Sequence, residues 1–133
     1  MAFATVLHAH AFAAMVAFFE AVGAGVHFGL PHSKTARLLL DTSRFFVADA
    51  HEEAVRRLEA QDFAGDQARL DVHAQAFAHI AGALHAQGAW TPVFDALCQA
   101  VQRAAAMGYG DQDIVAVTRL FARECDTASA AGQ

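Results

Sequence analysis

Eight histidines stand at positions 8, 10, 27, 32, 51, 73, 79 and 85. Imidazole titrates nearest neutral pH and is the commonest metal ligand, so their spacing is the first chemical question. A helix brings two ligands to one face only at i,i+3 or i,i+4. No pair has that spacing: His8 and His10 diverge, and His73, His79 and His85 step by six around a helix. The pattern predicts no metal site and satisfied or surface histidines instead.

Glu20 is the only charged side chain among residues 1–33. Its plain reading is a buried carboxylate with a polar partner, and its sharper reading is a ligand contact. Asp111 and Asp113 read as a helix cap and a first-turn acid, with a substrate contact as the alternative. Tyr109 and Trp90, the single Tyr and Trp, fall in loops and suit a cleft or an interface. His8, Glu20, Tyr109 and Asp113 are the candidate ligand-binding residues. No nucleophile and base pair stands out, so catalytic residues stay unassigned.

The elements that must position these residues are helical. Residues 2–28 read as one long helix, apolar nearly all round, which marks a buried helix. Gly23 and Gly25 permit close approach of another helix, and Gly29 with Pro31 ends it. A short helix follows through Leu40, with Leu38, Leu39 and Leu40 inward. Thr42 and Ser43 read as a break before a helix to Glu59, striped by Phe45, Phe46 and Val55. A fourth helix spans about 66–86 with Leu70, His73, Phe77 and Ile80 at helical spacing. Thr91-Pro92 is a cap followed by proline at the first helical position. Gly108-Tyr109-Gly110 is a tight turn, Asp111 caps a last helix, and a flexible tail occupies 125–133 behind a domain of 1–124. The fold class is all-α, about six helices around the N-terminal one.

The 133 residues are 56% hydrophobic and only 17% charged. A small monomer could not cover that much apolar surface, which predicts an oligomer or a partner domain. The net charge is −5 and Lys34 is the only lysine, so nothing tracks phosphates and nucleic acid is disfavoured. Arg56 and Arg57 read as a solvated helix face. A membrane span is disfavoured by Glu20 near the midplane and by the absence of Lys or Arg in 1–33. Cys98 reads as a core residue and Cys125 as an exposed thiol, both suited to a reducing cytoplasm.

Thr91-Pro92, the run Ala104-Ala105-Ala106-Met107 and the turn Gly108-Tyr109-Gly110-Asp111-Gln112-Asp113 together resemble the C-terminal end of the β-hydroxyacid dehydrogenases. These are the 3-hydroxyisobutyrate and 6-phosphogluconate dehydrogenase-like proteins. Glu20-Ala21 with Gly29-Leu30, Gln61-Asp62-Phe63 and Ala86-Gln87-Gly88 extend the resemblance over about 2–121. It implies a helical domain that completes a substrate cleft and forms a dimer, its long helix wrapped by the other subunit. It also implies a nucleotide-binding domain elsewhere, since no GxGxxG turn follows a strand here.

The family's catalytic lysine would fall at Ala4 and its amide pair at Leu7 and His8. Its later Lys-Asp pair would fall near Gln75 and Ala76. Alanine cannot donate a proton, so the lysine's chemistry is lost; His8 could still bond a ligand but is not an amide. The expectation is therefore a dimerising, cleft-forming domain that transfers no hydride alone. NAD(P) would enter only with a nucleotide-binding partner. The alternative is a self-standing, non-redox scaffold or small-ligand-binding dimer with a pocket around His8 and Glu20.

Overall fold

The structure, a computed structural model, describes residues 1–122. Among them are five α-helices: α1 (Ala2–His27), α2 (His32–Thr42), α3 (Ala48–Ala60), α4 (Leu70–Ala86) and α5 (Pro92–Ala104). A 3-10 turn at Ile114–Ala116 leads into helical residues 117–122. No strand forms among the described residues; two isolated bridges pair Ala64 with Gln112 and Arg69 with Asp113. The all-helical class therefore holds. Cys125 and the tail fall outside the described residues.

Helix ends follow from local chemistry. Gly29 and Gly88 take left-handed φ of 75° and 79°, where a side chain would strain the backbone. Past each glycine an amide reaches back five residues: Leu30 N–H donates to Gly25 O at 3.0 Å and Ala89 N–H to Leu84 O at 3.1 Å. These paired bonds close α1 and α4 where the glycines predict. Gln61 does the same for α3 without being glycine, at φ 51°.

The break expected at Thr42-Ser43 is absent. A π turn, Ser43–Val47, joins α2 to α3 without interruption. Thr42 Oγ1 and Ser43 Oγ donate to Leu38 O and Leu39 O, one turn back, at 3.0 and 2.9 Å. Their hydroxyls thus serve the preceding turn and do not cap a new helix. Phe45 and Phe46 face outward, 71% and 73% exposed, and so form no inward stripe. The fourth helix also starts later than expected, because Leu70 N–H and Asp71 N–H donate to Gln112 O and Gly110 O.

α1 and the α2–α3 rod form an antiparallel hairpin. Gly25 meets Thr35 near its closed end, and the His10 and His51 rings lie 5.9 Å apart farther along. The chain's own core lies elsewhere. Leu70, Val101, Ala104, Ala116 and Leu120 bury one another between α4, α5 and the last described segment, with Phe63, Phe77 and Tyr109 around them.

α1 is thus not buried within this chain. Its 26 residues, roughly 39 Å of helix, bury only Ala24 and Gly25. The hairpin covers one face near the C-terminal end, whereas α1 is apolar on every face. Phe3, Val6, Leu7, Phe12, Met15 and Phe19 are all exposed. By length and composition α1 could cross a membrane. The chain exposes 9250 Å², against about 6,700 Å² for a compact globule of its mass.

The two glycines of α1 separate cleanly. A Cβ on Gly25 would stand 2.8 Å from Thr35 Cγ2, and one on Gly23 would meet nothing within 4 Å. Gly25→Ala should cost about 1–3 kcal/mol by overpacking. Gly23→Ala should instead gain up to about 1 kcal/mol of helix propensity. Urea denaturation of the two variants checks the contrast.

Candidate functional site

Glu20 is placed at the junction of α1 and α5. Its carboxylate accepts from Val93 N–H at 2.8 Å and from Phe94 N–H at 3.0 Å. These are the second and third residues of α5, whose amides lack helical partners. Pro92 has no amide to satisfy, and Thr91 makes no side-chain cap. A residue 73 positions away therefore caps α5. The negative charge also complements the helix's positive end. Glu20 has the polar partners that its plain reading predicts.

Around this junction α1, α2, Leu84 and the start of α5 enclose a half-open cavity of about 360 Å³. Ala21, Ala24, Leu39, Val93 and Leu97 form much of its wall. Thr91 is buried beside His85, whose Nε2 donates to Asp95 Oδ1 at 2.9 Å and ties α4 to α5. His27 Nδ1 donates to Gln87 O at 3.1 Å and holds the same loop to α1.

The other candidates lie in different places. His8 is twelve residues from Glu20 along α1, about 18 Å of helical rise. Its Nδ1 donates to Ala4 O at 2.8 Å, which leaves Nε2 on an exposed surface next to Phe12. Tyr109 and Asp113 belong to the corner between α3, α4 and the last segment. Arg119 sits 3.8 Å over the Phe63 ring and 5.7 Å from that of Tyr109, and donates to Gln112 Oε1. Asp113, not Asp111, is the cap: its Oδ1 accepts from Val115 N–H at 2.9 Å. The four candidates are thus spread over three locations.

Arg57 corrects the expected solvated face. It is 2% exposed and is one of the largest fully buried side chains. Its guanidinium donates to Glu53 Oε1 at 2.7 Å, Asp66 Oδ1 at 2.7 Å and Ala64 O at 3.0 Å, with Asp113 Oδ2 at 3.7 Å. A planar fork with five donors suits this arrangement, and a buried charge requires it. Arg56 stays on the surface, paired with Glu53. Among the described residues no cluster of three metal-ligating side chains forms.

A dinucleotide's phosphates need a glycine-rich turn with free amides at a helix N-terminus. α5 offers its first amides to Glu20, and α4 spends its own on Gln112 O and Gly110 O. Neither of these two helix starts offers that cradle.

Two predictions follow from these bonds. Glu20→Ala strands two amides and should cost about 1–2 kcal/mol, the scale of a lost N-cap. Faster hydrogen exchange at Val93 and Phe94 should accompany it. Glu53 is held down to about 2 from 4.5, chiefly by its hydrogen bonds to Arg56 and then Arg57. Asp66 is lowered by Arg57 as well. Acids depressed in the folded state stabilise it above their unfolded values. That contribution should be complete above about pH 4.5 and fade as pH falls towards about 2. Thermal melts across that range, on wild type and Glu53→Gln, should converge at the acid end.

The family of C-terminal domains of NADPH-dependent reductive aminase-like proteins matches residues 2–123. A search of curated proteins finds no match. Among solved structures, a Pseudomonas putida KT2440 protein classed as an oxidoreductase without a stated substrate is 85% identical, with TM-score 0.88. It is covered over 90% of this chain and 41% of that one. An imine reductase from Pseudomonas sp. is 25% identical, TM-score 0.79, over 86% of this chain and 40% of the other. A reductive aminase from Aspergillus terreus, solved with NADPH and ethyl levulinate, shares the fold at 19% identity and TM-score 0.78. The match spans 88% of this chain and 41% of that one. The chain thus spans about two-fifths of the relatives it matches. The resemblance to a nicotinamide-dependent oxidoreductase's helical domain stands, and it narrows: with its helix order, its glycine-closed ends and the match over 2–123, this chain belongs to the reductive aminase-like C-terminal domain family.

Proposed function

We propose that this chain is the dimer-forming, cleft-lining helical domain of a nicotinamide-dependent oxidoreductase that reduces carbon–nitrogen double bonds. The observation that carries the reading is α1. A helix apolar on all sides, with residues 1–16 exposed throughout, needs a second surface laid along it. The surplus exposed area, on the order of 2,000 Å², is what an obligate interface buries. A second copy of the same chain supplies a matching apolar face. A lipid bilayer is disfavoured because Glu20, in the same helix, is fixed to the backbone of α5.

In this reading a nucleotide-binding domain outside residues 2–123 holds the nicotinamide. The chemistry class rests on the family and on the relatives' names. Of the four candidates, His8 is best placed to face a bound molecule. Its Nε2 is left available on the surface that the dimer would enclose. Tyr109, beside Arg119, and Asp113, bonded to Val115 N–H and facing Arg57, are part of the frame. Ala4 carries no acid or base, so the proton needed by an imine nitrogen would come from another residue.

The chain should run as a dimer in light scattering at micromolar concentration. Phe12→Asp, on the exposed half of α1, should shift it to monomer while the helical circular dichroism remains. A wild-type monomer would contradict the reading. Titration of these 133 residues with NADPH should show no tight binding, and tight binding would place the nucleotide site inside them.

A further inference from the structure

Two imidazoles from different helices meet at the open end of the hairpin. The rings of His10 on α1 and His51 on α3 lie 5.9 Å apart, inclined by 62° in an edge-to-face contact. Among the described residues neither ring has a hydrogen bond or an ion pair, whereas His8, His27, His73 and His85 each have a bonded nitrogen. Every other hydrogen bond or ring contact made by the side chains of residues 1–16 stays within α1. The π turn at Ser43–Val47 contributes to the meeting. Its extra residue rotates everything after it by roughly 100° about the rod, and without it His51 would leave the face turned to α1.

No anion is placed to hold an imidazolium here. The positions one helical turn either side of His10 and of His51 are all alanine, valine or leucine. Asp49 and Glu52 flank His51 in sequence but sit off that face and form no ion pair with either ring. Glu53 is held by Arg56 and Arg57, and Asp41 pairs with Arg44. On α1 the one acid, Glu20, is bound to α5.

We propose that the His10–His51 contact is a pH-sensitive clasp, which holds the N-terminal half of α1 against α3 while the rings are neutral and loosens when both are protonated. Neutral rings pack favourably edge to face. Two imidazoliums at this separation repel, which should shift the clasp towards open by about three- to tenfold in a largely aqueous setting. Imidazole gains its charge as pH falls from 8 towards 5, so the clasp is closed at the upper end and loosened at the lower. It lies within one chain and does not depend on the dimer, although it moves the face of α1 that a second subunit would meet.

The test is nuclear magnetic resonance on the full chain. Nuclear Overhauser contacts between the two rings should be present near about pH 8 and lost near about pH 5. Amide exchange in residues 3–12, corrected for its intrinsic pH dependence, should rise about three- to tenfold over the same interval. Salt at about 1 M should shrink that rise. His10→Phe keeps an aromatic pair with at most one charge, so it should stay closed across the range. His51→Phe is the reciprocal variant with the same expectation, and His8→Phe should behave as wild type. Ring contacts absent at the upper pH or intact at the lower pH would each overturn the proposal. An equal pH response in His10→Phe or His51→Phe would do so as well.

Discussion

A helix that is apolar on every side cannot be satisfied by one neighbour. α1 imposes this constraint on the rest of the chain. Its C-terminal third is held three ways: Gly25 packs on Thr35, Glu20 caps α5, and His27 bonds the loop before α5. Its N-terminal half is held by nothing comparable within the chain. The molecule is consequently in two parts. A self-contained core sits between α4, α5 and the last described segment, and a hairpin projects α1 from it. The proposed dimer and cleft both derive from how α1 is completed.

The two parts are joined by different chemistry. The apolar core is built by burial, which is non-directional and tolerant of small shifts. The junctions are built by charge. Arg57 gathers Glu53, Asp66 and Asp113 and so fixes α3 against the 61–69 loop and the start of the last segment. Glu20 sets α5 against α1 with two bonds at defined angles. Directional contacts at the joints fix where the hairpin sits on the body.

Much of this was legible in the sequence. α1 and the start of α5 were readable to within a residue, because glycine and proline act locally on the backbone. The reductive aminase-like relationship was approached through the Gly108-to-Asp113 turn, which preserves a backbone path whatever the chemistry upstream. What escaped was long-range. Arg57 looks like its exposed neighbour Arg56, and only the folded path of residues 62–66 and 113 brings the carboxylates around it. Thr42 and Ser43 look like caps, yet a hydroxyl can serve the turn behind it as readily as the turn ahead. The burial of α1 was read from composition. Composition states that a surface must be covered and is silent on which molecule covers it.

The cap on α5 also sets an order of events during synthesis. Glu20 leaves the ribosome 73 residues before Val93. At about 5–20 residues per second the interval is roughly 4–15 seconds. Throughout it α1 can pack on α2 through Gly25 and Thr35, while the Glu20 carboxylate still lacks the amides that it caps.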